Sequence, residues 1–390
     1  MNNFELYTPT KIIFGKDTQS KVGELCAAYS PNKRVLLHYG GGSIKRSGLY
    51  DQVVASLQAA GVEYWELGGV QPNPRLNLVY KGIEICREHD IDFILGVGGG
   101  SAIDSAKGIA HGVRYDGDVW DFYLKKTFDF SKSLPIGCIL TLSATGTEAS
   151  DSSVVTKEEG NWKRSCKTDK NRPVFAIMNP ELTETLPPYQ TACGAADMLA
   201  HMLERYFTNT PAVDLTDRML EAGLRTVLYY GPVAYNQPHD YEARAELMFA
   251  GMVAHNGLLG MGRQEDWGSH NIGHELSAIY DIAHGASLSI IFPAWMKYVW
   301  KINPTRFVQF AQRVMDVDFA LEHTERIVLE GIRRLENWFT SIGLPIRLSE
   351  VGIDDSRLRE MAEKAVTGKA LGNFKQMTAD DIYEVYKLAL

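Results

Sequence analysis

Six of the ten histidines, His201, His239, His255, His270, His274 and His284, fall in the stretch that runs from Asp197 to His284. Asp197 and His201 are spaced i, i+4 within an apolar-periodic run, so on a helix their side chains are neighbours, about 5–6 Å apart at Cβ, and can grip one ion. His270 and His274 repeat that spacing in DWGSHNIGHELSAIYDIAHGASL, and His284 closes the segment. Three imidazoles and one carboxylate make a donor set suited to Zn²⁺ or Fe²⁺ that leaves positions open for a substrate oxygen. Taken singly, an Asp–His pair at this spacing is more often a surface pair. His239, between Pro238 and Asp240, reads as a solvated loop residue, and His255, on an apolar helix, as a core or lining histidine. The coincidence of two such pairs in one helical region is what points to a metal site.

Glycine-rich loops supply the second kind of chemistry. A strand that runs into glycines and then a helix suits phosphate, because bare backbone N–H groups can approach the oxygens and the helix N-terminus favours negative charge. GVGGGSAIDSAK, from Gly96 to Lys107, has this form, with Gly98, Gly99 and Ser101 at the helix entrance and Asp104 in the first turn. It departs from the G-x-G-x-x-G fingerprint, since Ser101 stands where the third Gly belongs, and from a Walker A loop, since Gly100 is followed by Ser101. The same loop reads equally as a tight turn with Ser101 as helix N-cap. SATGTEAS, from Ser143 to Ser150, is a hydroxyl-rich turn able to donate to a ribose or diphosphate, or a helix cap with Glu148 in its first turn. A third loop, Gly40, Gly41, Gly42 and Ser43, would share the same crevice of a doubly wound sheet.

These loops need a scaffold, and the patterning supplies one. Between Arg34 and Met178 short apolar runs alternate with helical periods. Strands are expected at Arg34–Tyr39, Tyr64–Leu67, Phe93–Val97, Ile136–Leu142, Val154–Thr156 and Val174–Met178, and helices around Leu49–Leu57 and Leu76–His89. Such alternation implies a parallel sheet covered on both faces by helices. Beyond Pro187 and Pro188 the periods become helical, as at Ala196–Thr208, Leu215–Tyr230, Tyr241–Leu258, Thr324–Ile342 and Leu358–Val366. The expected division is an α/β domain that carries the glycine loops, over 1–187, and an all-α domain that carries the histidine cluster, over 188–390.

Composition narrows the function. A formal net charge of −8 argues against phosphate-backbone binding, so no nucleic-acid partner is expected. The five cysteines are scattered without a C-x-x-C pair, which suits a reducing, cytoplasmic compartment. The opening MNNFELYTPTKIIFG lacks the pattern of an export signal, and the best apolar run, Ala286–Met296, is too short to span a bilayer and contains Pro293. No membrane partner is expected.

The run GVGGGSAIDSAKGIA, the SATGTEAS turn, FAIMNPELTETLPP, and the spacing of Asp197, His201, His270 and His284 resemble the iron-containing (group III) alcohol dehydrogenases. The similarity reaches from Tyr7-Thr8-Pro9 to the last helices. GGGSIKRSG at Gly40–Gly48 and WGSHNIGHELSA are most similar to the butanol dehydrogenase and NADPH-dependent aldehyde reductase branch. The resemblance implies a dehydroquinate synthase-like fold, with an α/β dinucleotide-binding domain over 1–187, a helical metal-binding domain over 188–390, nicotinamide and metal facing each other between them, and a homodimer. It implies Asp197, His201, His270 and His284 as metal ligands, Gly98, Gly99 and Ser101 on the diphosphate, and Asp104 near the nicotinamide. Thr141, Ser143, Thr145 and Thr147 match the family's cofactor-contacting turn; Lys163 matches a lysine near the ribose, and Asn73 in the Pro72–Pro74 turn joins the cofactor contacts.

The implied reaction is hydride transfer between NAD(P)H and an aldehyde polarised by Fe²⁺ or Zn²⁺, with the alkoxide then needing a proton. His274 is a candidate relay, or equally a residue that shapes the cleft. Alternatives are a glycerol dehydrogenase, a dehydroquinate synthase-like lyase, or a non-redox metallohydrolase with the glycine loops as mere turns. The loop after Tyr39 carries no carboxylate to hold a ribose 2′-hydroxyl, and Lys45 and Arg46 follow close behind. NADP(H) is therefore the expected preference, with NAD(H) usable.

Overall fold

In a computed structural model, which describes residues 1–318, 323–367 and 369–390, eight short runs form strands. They are β1 (Lys11–Phe14), β2 (Arg34–Gly40), β3 (Glu63–Val70), β4 (Phe93–Gly98), β5 (Ile136–Leu140), β6 (Ser152–Lys157), β7 (Trp162–Lys167) and β8 (Phe175–Met178). Six of them make one parallel sheet in the order β1-β8-β5-β4-β2-β3. Alternate side chains of each strand go to opposite faces. Val35, Leu37, Phe93 and Leu95 pack with Val22, Val53 and Leu57, whereas Leu36, Ile94 and Ile136 pack with Val79, Ile83 and Ile109. Every residue of β4 is buried, as befits a central strand covered on both faces.

Two features depart from the expected strand series. The 154–156 run does not continue the sheet: β6 pairs antiparallel with β7 in a separate two-stranded ribbon, turned by Gly160 and Asn161, both with left-handed backbone. β1, flanked by Pro9 and Gly15, forms an additional edge strand, too short to stand out from sequence. The sheet places the loops. Chain order takes β2 to β3 on one side and then to β4 on the other, so a crevice opens at the carboxyl ends of β2 and β4. The Gly40–Ser43 and Gly98–Ser101 loops leave these two neighbouring strands at that end, and the Thr141 turn leaves β5 beside them, its N–H donating to Gly98 O at 3.0 Å.

The chain divides into two compact units, one of residues 7–186 and 238–256, the other of residues 1–6, 187–237 and 257–390. The helix Tyr241–His255, which periodicity alone groups with the helical half, belongs to the α/β unit, where Met248 and Met252 join Ile103, Cys138, Leu140 and Met178. In the helical unit Pro188 starts the Pro188–Tyr206 helix, since the first helical position needs no N–H. The helix His284–Val299 lies against it so closely that a Cβ at Gly285 would collide with the carbonyl of Cys193. Close approach requires glycine there, and it delivers His284 to Asp197. Among the described residues no helix is long and apolar enough to cross a membrane.

Candidate metal centre and cofactor loops

The i, i+4 pair sits as its spacing demands, on one face of the Pro188–Tyr206 helix. Asp197, His201 and His270 offer one donor atom each within 4.8 Å of one another, and all three residues are buried. Asp197 Oδ1 lies 3.7 Å from His201 Nδ1, 3.7 Å from His270 Nε2 and 3.6 Å from His284 Nε2. These separations are too long for hydrogen bonds and suit donors that share one ion at about 2.0–2.2 Å. His270 Nε2, buried, makes no hydrogen bond among the described residues. An imidazole lone pair so placed fits a divalent cation. Burial pushes the His270 imidazole down, but the carboxylates of Asp197 and Glu204 outweigh it and hold it above its ordinary value.

His274, one turn beyond His270, is buried with its ring centroid 5.2 Å from that of His284. His239 is exposed and pairs with Glu184, and His255 ends the Tyr241–His255 helix of the α/β unit. A residue that spacing did not single out joins the cluster: Glu204, two turns beyond Asp197, takes the other face of His270. Its position on the same helical face as Asp197 and His201 was the available signal.

In the α/β unit the loop after β4 is shaped by its glycines. Gly98 has φ +157°, and a Cβ on Gly100 would come within 2.6 Å of Thr145 Oγ1, so only glycine lets the hydroxyl turn sit against the helix entrance. The helix is Gly100–Gly112 with Gly99 at the N-cap, so Ser101 lies inside the first turn and does not cap it. The SATGTEAS segment is a turn leading into β6 and caps no helix. Within it Ser143 Oγ, buried, has no hydrogen-bond partner among the described residues, as suits a hydroxyl facing a polar ligand.

A buried network holds this turn. Lys107 Nζ, fully buried, donates to Thr147 O at 2.8 Å, Thr147 Oγ1 at 2.6 Å and Ser152 O at 2.7 Å. Asp104 accepts from Thr147 Oγ1 at 2.5 Å and Val154 N at 3.0 Å, and lies 3.7 Å from Lys107 Nζ. Burial pushes Asp104 up and Lys107 down. Lys107 sits inside the quoted glycine-loop motif, yet only the fold reveals that its charge is spent on the turn. Asn73 and Lys163, buried, meet through a 2.9 Å hydrogen bond from Lys163 Nζ. At the β2 end, Gly41, Ser43 and Lys45 are exposed. Lys45 Nζ lies 3.4 Å from Glu66 of β3, which also accepts from Tyr39 at 2.8 Å and from Tyr50. A carboxylate thus reaches Lys45 from the neighbouring strand, which the loop sequence alone could not reveal.

Residues 9–180 match the family model described as iron-containing alcohol dehydrogenase, and residues 191–390 match that of the Fe-containing alcohol dehydrogenase family, C-terminal. The chain is 44% identical to a probable NADH-dependent butanol dehydrogenase 1 of Bacillus subtilis, over the whole of both chains. It is 35% identical to the NADPH-dependent aldehyde reductase YqhD of Escherichia coli, again over the whole of both. The crystal structure of a protein named NADH-dependent butanol dehydrogenase A from Thermotoga maritima superposes with a TM-score of 0.96 at 39% identity, covering 100% of this chain and 99% of that one.

Proposed function

The chain belongs to the iron-containing alcohol dehydrogenase family, and from that premise we propose that it is a metal-dependent alcohol dehydrogenase and aldehyde reductase acting with NAD(P)H on aldehydes or primary alcohols of the butanol type. The observation that carries the reading is the convergence of three imidazole nitrogens on Asp197 Oδ1 at 3.6–3.7 Å. Asp197, His201, His270 and His284 would hold Fe²⁺ or Zn²⁺. When bound, the ion supplies Lewis acidity at a carbonyl oxygen and the reduced nicotinamide supplies hydride.

The chain's own residues do the rest. Gly98, Gly99 and Ser101 would present backbone N–H groups to the diphosphate, with Thr141, Ser143 and Thr145 donating from the adjacent turn. Asp104, which the resemblance puts near the nicotinamide, also holds Thr147, and with Lys107 keeps that turn in place. Asn73 and Lys163 would act together at the ribose. His274 would hold the proton that the product oxygen takes up.

For cofactor preference we propose that the bare N–H groups and hydroxyl of the Gly40–Ser43 loop, with Lys45, favour the 2′-phosphate of NADPH, with NADH usable. Relatives named for either cofactor match the full chain, so the loop's chemistry and not their names supports this choice. The pairing of Lys45 with Glu66 moderates the preference. The family resemblance is also the basis for expecting a homodimer in the cytoplasm.

An aldehyde panel with NADH and NADPH, run beside metal analysis, tests the function. Consumption of reduced nicotinamide in proportion to aldehyde is expected. A protein that binds metal yet consumes no nicotinamide with any aldehyde would refute it in favour of hydrolase or lyase chemistry.

A further inference from the structure

Glu204 is 1% exposed, and its whole carboxylate is spent on one neighbour, the start of the Gly268–Tyr280 helix. Oε2 accepts from Trp267 N at 2.5 Å, and Oε1 accepts from His270 N at 2.9 Å and from His270 Nδ1 at 2.8 Å. The N-cap of this helix is Trp267, with left-handed backbone and no side-chain cap of its own. Glu204 therefore stands in for the missing cap, satisfying N–H groups that the helix start leaves open. A negative charge at a helix N-terminus is also favoured by the helix dipole.

The contact with Nδ1 has a chemical consequence. A carboxylate can only accept, so Nδ1 must carry the proton, and in the neutral imidazole that binds a metal the lone pair is then on Nε2. Nε2 is the nitrogen 3.7 Å from Asp197 Oδ1, on the side where His201 and His284 also gather. Glu204 and Asp197 stand on the same face of the Pro188–Tyr206 helix, two turns apart, so one rigid element supplies both a ligand and the group that aims another.

We propose that Glu204 is a positioning residue of the metal centre, which caps the Gly268–Tyr280 helix and holds His270 in the Nδ1–H tautomer with Nε2 presented to the ion. This rests on the reading of Asp197, His201, His270 and His284 as a metal site. Partners of this kind, hydrogen-bonded to a ligating imidazole, typically change metal affinity by about 10- to 100-fold.

The test is competition of Zn²⁺ against a chelator of known affinity, for the unaltered protein, Glu204→Gln and His201→Ala, with circular dichroism to confirm folding. Glutamine has nearly the same shape, but whichever way its amide turns, an NH₂ faces a donor. It should fold, lose about 10- to 100-fold in Zn²⁺ affinity, and leave kcat on saturation with metal much less affected than the affinity. Unchanged affinity in Glu204→Gln with a loss in His201→Ala would overturn the proposal and leave the metal site standing. Unchanged affinity in both would overturn the site itself. Should Glu204→Gln fail to fold, ¹⁵N imidazole spectra of the Zn²⁺-loaded unaltered protein decide the matter. A proton on Nδ1 of His270 supports the proposal, and a proton-free Nδ1 overturns it.

Discussion

Glu148 is 1% exposed in the hydroxyl-rich turn, and its Oε2 makes no hydrogen bond among the described residues. Burial, with Asp104 adding to it and Lys107 opposing, pushes its carboxyl from 4.5 up to about 7. The unfolded chain releases this proton at lower pH than the folded chain does. The penalty is therefore absent below pH 4.5, grows between 4.5 and 7, and is constant above. A shift from 4.5 to about 7 corresponds to a ceiling of about 3 kcal/mol. Glu148→Gln removes the charge but buries an amide donor, which costs about 1 kcal/mol at every pH, so a net gain of about 2 kcal/mol is expected at pH 8 and a net loss of up to about 1 kcal/mol near pH 4.5. Thermal unfolding of both proteins at pH 5, 6, 7 and 8 reads this as a midpoint difference that shifts in favour of Glu148→Gln as pH rises. A difference that is flat with pH, or that shifts the other way as pH rises, would show that Glu148 carries no buried-charge penalty.

Three further outcomes test the site. Asp197→Ala or His270→Ala should lower metal content and abolish aldehyde reduction, since a four-donor set reduced by one loses affinity and geometry; metal analysis and nicotinamide oxidation read both. His274→Ala should slow reduction by about 10²- to 10⁴-fold with metal content retained, whereas an unchanged rate would leave His274 only a packing role. Gly40→Asp should shift kcat/KM towards NADH by like-charge repulsion of the 2′-phosphate, and Glu66→Gln, which releases Lys45, should shift it towards NADPH a few-fold; equal or better use of NADH by the unaltered protein would deny the loop this role.

What could be read from sequence was whatever a local period encodes. The i, i+4 rule placed Asp197 beside His201, and apolar runs ending in glycine located the loops after β2 and β4. What escaped depends on contacts distant in sequence. The same strand propensity serves a central parallel strand and an antiparallel ribbon, so nothing in Val154–Thr156 announced its pairing with β7. The periodicity of Tyr241–His255 shows an amphipathic helix but not the core that buries it. Glu66 reaches Lys45 only because β3 lies beside β2, and Glu204 meets His270 only because two helices pack together. Ser101 has the residue type that favours an N-cap, yet the helix already begins at Gly100, with Gly99 at the N-cap.

One divalent ion held by Asp197, His201, His270 and His284 is expected to be required for nicotinamide-dependent aldehyde reduction. It is tested most directly by stripping the protein with a chelator and titrating Fe²⁺ or Zn²⁺ back while following NADPH and NADH oxidation with butanal. No oxidation is expected in the stripped protein, with recovery that saturates at one ion per chain. Full activity in the metal-free protein would contradict it.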